Sequence, residues 1–391
     1  MARRVGLGTV PGAHAPTRGG AGGVLDFEFS AEQQALRDSV RGFLTARAPL
    51  RDVRAWYGSE RGVPDDVWHG LAELGVLGLL APLDWGGTGG GLVDAAVVLE
   101  ELGRAACPAP YLASAVGGVS LVNALDGWAA HPALAGLATG AGRGAVALYE
   151  PGRRVRWRDP ATRAVSAGDA WRVTGTKVHV DGGPSADVLL VVAADPTGLG
   201  VFALERSDAA VRTTPTVDGS HTEATVVLDD SPARRVGVAD ASAAVAETLD
   251  RWAAGAVVDG VGAAQAALDR SVAYARERHQ FGVPIGSLQA VQHLCADMLR
   301  AVETARAAGY YACWAADAAP ASERHRAATM ALAFAADDLA GVGAAAIQVH
   351  GGIGFTWEHD IHLFYKRLLT LQRTGGGTVD QLEELAAITL D

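Results

Sequence analysis

Arg276-Glu277-Arg278-His279-Gln280-Phe281-Gly282, continued by Pro284-Ile285-Gly286-Ser287-Leu288-Gln289, ends one long helical pattern and opens another. Farther along, Gln348-Val349-His350-Gly351-Gly352-Ile353-Gly354-Phe355 closes a later helical run. The first stretch offers a cation, an aromatic ring and an amide. The second offers an amide beside backbone that lacks side chains. Arg278 suits charge-assisted, bidentate bonds to phosphate, Phe281 suits packing on a ring, and Gln289 and Gln348 can donate or accept. Gly351 and Gly352 permit close backbone approach. Together these residues suit a large planar cofactor that carries a pyrophosphate.

Outward from these motifs the chain divides into three regions. From Ser30 the pattern is helical: Ser30 and Gln33 have capping-box spacing, and Leu36, Val40, Phe43 and Leu44 mark one apolar face. Trp68, Leu71, Leu74 and Leu77 read as a second helix, and Val93 to Leu102 as a third, with Glu100 and Glu101 on a solvated face. Gly86 to Gly91 lacks the Lys and Ser/Thr of a nucleotide loop and reads as a hinge or tight turn. Between about Gly144 and Val238 short β-prone runs alternate with turn residues: Val146-Ala147-Leu148, Val188 to Val192, Val201 to Leu204 and Ala224 to Leu228. That rhythm predicts an antiparallel barrel or sandwich. Beyond it Ala253, Val257, Val261, Ala264, Leu268, Val272 and Ala275 step by three or four residues, the first stripe of an up-and-down bundle. The expected organisation is a disordered tail over 1–24, a helical domain over 25–140, a β-domain over 141–238 and a four-helix bundle over 239–391. This is an α+β architecture.

The net charge of -11 argues against a general binder of nucleic-acid backbone. No uncharged apolar run has the character of a membrane span. Cys107, Cys295 and Cys313 give neither a disulfide framework nor a zinc spacing, and fit free thiols in a reducing cytoplasm. No GxGxxG follows a strand, so a dinucleotide-binding α/β unit is not expected. Glu358-His359-Asp360 with His362 lies too close in sequence to converge on one metal ion from a helix.

The paired motifs, in order and with this three-region layout, resemble the flavin-binding signature of the acyl-CoA dehydrogenase family from about Leu25 to Leu390. The resemblance implies FAD, held by Arg278, Phe281, Gln289, Gln348, Gly351 and Gly352, with the last three reaching the cofactor of a neighbouring protomer. A homodimer or homotetramer is implied. Tyr149-Glu150-Pro151-Gly152 matches the family's Thr-Glu-Pro-Gly, which adds Leu148 and Tyr149 to the cofactor side; Arg153-Arg154-Val155 then stands where Gly-Ser-Asp is usual. His179 falls where a Trp shields the flavin, and Asp181 where a Thr approaches its reactive edge.

Relatives remove an α-proton from an acyl thioester with a Glu in a Tyr-Glu-Gly-Thr context. Here the stretch reads Arg373-Thr374-Gly375-Gly376-Gly377-Thr378, and the second known placement of the base reads Trp252. Asp181 and Asp250 are the candidate replacements, with Glu150 and His350 inside the motifs; the resemblance also gives Asp250 to the pantetheine arm of the substrate. Arg251 is read either as a stand-in for the family's Arg near the base or as an exposed helix residue, and Asp259 as a partner for a nearby cation.

Three functions remain open from sequence. One is FAD-dependent α,β-dehydrogenation of an acyl-CoA or acyl carrier protein thioester, with electrons passed to an electron-transfer flavoprotein. Another is a flavin oxygenase or oxidase of the same fold. The last is a base-less subunit of a hetero-oligomeric dehydrogenase.

Overall fold

The capping box read at Ser30 opens the first helix. Gln33 N donates to Ser30 Oγ at 3.2 Å, and Ser30 N returns to Gln33 Oε1 at 3.1 Å. This computed structural model describes residues 28–153, 155–168, 170–237 and 240–390. The tail over 1–24, Arg154, and the expected boundary at 238 and 239 lie outside the described residues.

The N-terminal region contains α1 (Ala31–Arg47), α2 (Leu50–Trp56), α3 (Asp65–Glu73), α4 (Leu92–Arg104), α5 (Val119–Ala124) and α6 (Ala135–Thr139), with a π-helical stretch, Leu112–Gly118, leading into α5. The second helical pattern stops at Glu73, short of Leu77, because Gly75 turns left-handed at φ 74°; Leu77 sits in a short 3-10 turn and Leu74 is exposed. Glu100 and Glu101 correct the expectation of a solvated face. Both are buried. Arg41 grips Glu101 with two bonds, at 2.6 and 2.8 Å, while Arg37, Arg306 and the Tyr310 hydroxyl converge on Glu100. Two buried carboxylates are tolerable only because this cationic and hydroxyl shell compensates their lost hydration.

The middle region supplies β1 (Gly144–Ala147), β2 (Arg163–Ala167), β3 (Ala170–Asp181), β4 (Val188–Asp195), β5 (Gly198–Glu205), β6 (Ala210–Thr214) and β7 (Glu223–Val236). β4, β2, β3, β7 and β5 pair in a closed circuit, with β1 and β6 flanking β4 and β7. The expected barrel is therefore present and mostly antiparallel, with two departures: β1 runs parallel to β4, and β2 meets β4 in a short parallel pairing at Arg163 and Ala194. Inward-facing Leu189, Val191, Phe202, Leu204, Val226 and Leu228 form a core of their own. The alternate residues Leu190, Val192 and Val201 join the main core shared with the helices. β4 is buried on both faces, which explains its unbroken apolar run.

The C-terminal region has three long helices, α7 (Ser242–Glu277), α8 (Gln289–Ala318) and α9 (Ala321–His350), then α10 (Ile361–Arg373) and α11 (Thr378–Leu390). A two-stranded hairpin, β8 (His279–Gln280) and β9 (Val283–Pro284), separates α7 from α8. Small residues let the helices approach: a methyl on Gly309 would meet Val257 and Val258 at 3.0 Å. Among the described residues α9 is the one helix long and apolar enough to cross a bilayer, but most of that segment is buried inside the bundle.

Candidate functional site

Tyr274 and His350 stack with ring centroids 4.6 Å apart. This contact brings the ends of α7 and α9 together, so the two motifs that are distant in sequence occupy one end of the bundle. His350 Nδ1 also lies 2.8 Å from the Ala346 carbonyl, and its ring is buried. Its role there is to hold the turn, which leaves the neighbouring groups exposed.

Around that end, Arg278 caps α7 and is exposed, and its guanidinium has no hydrogen bond or ion pair among the described residues. Phe281 and Gly282 form the two-residue loop of the hairpin with φ of 55° and 80°. Such a loop requires positive φ at both positions, which is why Asn-Gly is the usual choice. A phenylalanine held there, 91% exposed, combines backbone strain with an uncovered ring. Gln289 begins α8 and Gln348 lies in the last turn of α9; both are exposed. Gly351 adopts φ 62° and ψ -142°, a conformation open essentially to glycine alone. Added methyls on Gly351 or Gly352 would meet nothing within 4 Å, so free space lies over this backbone. An unpaired cation, an uncovered ring and bare backbone fit the phosphate and adenine end of a dinucleotide cofactor.

The other sequence-predicted residues gather on the barrel. Leu148 is buried, and its carbonyl accepts from Lys177 Nζ at 3.1 Å; the Tyr149 carbonyl accepts from Val178 N at 2.9 Å. Lys177, fully buried, also donates to Glu150 at 2.9 Å, and Glu150 accepts from Ala161 N and from the Thr162 amide and hydroxyl. Burial opposes the Glu150 charge, yet these bonds hold its carboxyl down to about 2, while burial draws Lys177 down to about 8. Glu150 is thus a locked structural anion. β3 and β7 shift register between Lys177 and Val180, and His179 within that bulge has φ 53°. The bulge turns the imidazole outward onto Glu223, 2.8 Å from Nδ1.

Asp181 ends β3 on the wall of a small cavity where the three regions meet. Burial is the main reason its carboxyl rises to about 6. Beneath it lies a network of which sequence reasoning anticipated only a cation for Asp259. Arg367 on α10 makes paired bonds to Asp259 on α7 at 2.8 and 2.7 Å, and donates to Ser220 Oγ at 2.9 Å and to the Cys107 carbonyl at 3.3 Å. Ser220 in turn donates to Asp218, whose other oxygen lies 2.6 Å from His221 Nδ1. Burial would raise the Asp218 carboxyl, but the His221 bond, the nearby charges of His221 and Arg367 and the Ser220 hydroxyl bring it to about 2. Burial likewise opposes a charge on His221, yet Asp218 leaves its basicity raised. The signal in sequence was Asp218-Gly219-Ser220-His221, legible as a turn but silent about burial.

No carboxylate occupies the usual base positions. Gly375, Gly376 and Gly377 have φ of 65°, 95° and 100° and form the turn from α10 to α11. Trp252 packs its indole on Gly117 of the N-terminal region. Asp250 is buried, with Arg324 Nε at 3.0 Å and His325 Nδ1 at 2.7 Å on its two oxygens. Arg251 is not an exposed helix residue: it pairs with Asp317 at 3.0 Å and Glu247 at 3.3 Å. Asp259 finds the local cation expected for it in Arg367.

Comparison with known proteins agrees with this geometry. Residues 30–129 match the model of the acyl-CoA dehydrogenase N-terminal domain, and residues 243–389 match that of the C-terminal domain. Acyl-CoA dehydrogenase IpdE2 of Mycolicibacterium smegmatis is 33% identical over 366 residues, 92% of this chain and 99% of that one. A solved structure of a Tcur3481-Tcur3483 steroid ACAD variant superposes with a TM-score of 0.82 at 32% identity, covering 92% of this chain and 98% of that one. The ChsE4-ChsE5 complex of Mycobacterium tuberculosis gives 0.82 at 27% identity, covering 94% and 99%. The chain belongs to the acyl-CoA dehydrogenase family, whose members are flavoprotein oxidoreductases.

Proposed function

We propose that this chain serves the FAD-dependent α,β-dehydrogenation of an acyl thioester as the subunit that brings a flavin-phosphate cradle but no base. One contrast carries the reading. Arg278, Phe281, Gln348, Gly351 and Gly352 stand exposed at one end of the bundle, whereas the base positions hold three glycines and a packed tryptophan. A carboxylate from another subunit would remove the α-proton. FAD, when bound, supplies the hydride acceptor.

Within this reading Arg278 and the Gly351-Gly352 backbone hold the pyrophosphate, Phe281 covers a ring, and Gln289 and Gln348 give polar contacts. Leu148, Tyr149, His179 and Asp181 line the barrel side. Asp250 serves the carrier arm of an acyl-CoA or acyl carrier protein substrate. It is not offered as the base, because Arg324 and His325 already occupy both of its oxygens. The names Tcur3481-Tcur3483 and ChsE4-ChsE5 each join two polypeptides, which supports a hetero-oligomer over a homodimer or homotetramer. Electrons would leave to an electron-transfer flavoprotein in the cytoplasm.

The test is to purify the chain alone and co-expressed with a Glu-bearing family member, then add acyl-CoA thioesters anaerobically. Bleaching of oxidised flavin in the co-purified assembly, and none with the single chain, is expected. Full turnover by the single chain would refute the division of labour.

A further inference from the structure

After α10 the chain turns through Gly375, Gly376 and Gly377, whose φ of 65°, 95° and 100° all lie in the region that favours glycine. Three such residues in a row make a pliant joint. The helix beyond it, α11, lies on α9 with little apolar anchorage. Gln381 is its one buried residue among those described, Leu385 and Ile388 are half-buried, and Val379, Leu382 and Leu390 are exposed. Its ties are polar instead. Thr378 Oγ1 donates to Asp337 at 2.9 Å and Gln381 Nε2 donates to the Thr374 carbonyl, both near the joint. A glycine joint, polar anchors and few buried apolar contacts mark a segment that opens locally.

In the next turn Glu384 meets a histidine that stands between two carboxylates. His325 on α9 has Nδ1 2.7 Å from Asp250 Oδ1 on α7, and Nε2 3.1 Å from Glu384 Oε1 on α11. Ionised carboxylates only accept, so only the imidazolium, with a proton on each nitrogen, satisfies both contacts. The neutral ring keeps its single proton on the shorter bond to buried Asp250, and its Nε2 lone pair then faces the Glu384 carboxylate. Loss of one proton turns an attraction into a repulsion. The cations nearby do not replace it: Arg324 is spent on Asp250 and Glu247, and Arg251 on Glu247 and Asp317.

We propose that α11 is a hinged strap latched by His325 to Glu384, docked on the bundle while the imidazole is protonated and released as that proton leaves. The Asp250 bond above all, with Glu384 in support, holds the His325 basicity above the ordinary 6.5 against its partial burial. Asp250 acts on the ring whether α11 is docked or not. Glu384 acts only in the docked state, which therefore has the higher basicity. The latch is complete at and below 6.5 and is lost as pH rises through the docked-state value. Release opens the Asp250 side of the bundle. The latch stands whether or not the acyl-thioester reading does; that reading decides only what then reaches Asp250.

Hydrogen exchange of the α11 amides in the full chain, without thioester and read as protection factors corrected for the intrinsic rate, tests it. Between about pH 6 and about pH 9, protection over Thr378–Leu390 should fall about fivefold, the scale of a partly exposed ion pair, while that of α7 stays nearly constant. His325→Gln, which cannot take up a proton, and Glu384→Gln, which removes the facing charge, should each give a flat profile. Glu384 is exposed, so Glu384→Gln keeps the test open should unfolding curves show that His325→Gln does not fold. A flat wild-type profile, or a slope that survives in either folded variant, overturns the proposal and leaves the acyl-thioester reading untouched.

Discussion

Arg367 and Asp259 form a buried two-bond ion pair, at 2.8 and 2.7 Å, that ties α10 to α7, and the same guanidinium reaches the N-terminal region at Cys107 and the barrel at Ser220. All three regions therefore meet at one side chain. Removing one partner strands a charge away from water. Arg367→Met is expected to destabilise the fold by about 3–5 kcal/mol, read as a large drop in the denaturant midpoint. Arg367→Lys should recover little of this, since an ammonium cannot reproduce the planar fork.

Asp181 should leave a pH signature. Its folded-state carboxyl, mainly through burial, lies near 6 instead of the usual 3.8. The stability it contributes is complete below about pH 4 and is lost as pH rises through about 6. Asp181→Asn does not ionise, so its melting temperature should match the wild type near pH 4 and exceed it near pH 8. The gain should be about 1–2 kcal/mol, allowing for screening at a partly exposed group. A constant offset across pH would contradict the assignment.

At Phe281 the backbone conformation favours a different residue from the one present. Its φ of 55° costs a bulky side chain about 1 kcal/mol, which Asn would relieve. Phe281→Asn should therefore raise the unfolding midpoint slightly and lower flavin retention. A variant both more stable and fully flavinated would show that the ring serves no cofactor.

Gly352 separates folding from binding in the opposite way. Space above it is open, so Gly352→Val should fold with an unchanged melting temperature. The added side chain occupies the surface where a pyrophosphate would lie. Bound flavin per chain, measured by absorbance after denaturation, should fall several-fold.

Local rules make much of this molecule legible. The Ser30 cap, the α7 stripe and the β4 run depend on near neighbours in sequence, and spacing alone reveals each. Burial of Glu100 and Glu101 is different, because it depends on Arg37, Arg41, Arg306 and Tyr310 arriving from α1 and α8. The second helix is shorter than its apolar spacing implies because one glycine, Gly75, outweighs a pattern that continues past it. The resemblance marks Asp181, yet its neighbours His221 and Asp218 are invisible in sequence. A short polar turn looks the same whether it ends in water or under a buried arginine. The parallel pairing of β1 with β4 likewise depends on chain crossing over distance, which strand rhythm does not encode.

The central claim is that the exposed cation at the end of α7 holds a flavin. Flavin content of the wild-type chain and of Arg278→Ala, each purified with the same partner subunit, tests it most directly. The Arg278 guanidinium has no partner among the described residues to lose, and alanine keeps the backbone bonds to Tyr274 and Ile285, so the variant should fold normally and retain almost no FAD. A normally folded Arg278→Ala carrying as much FAD as the wild type would contradict the account.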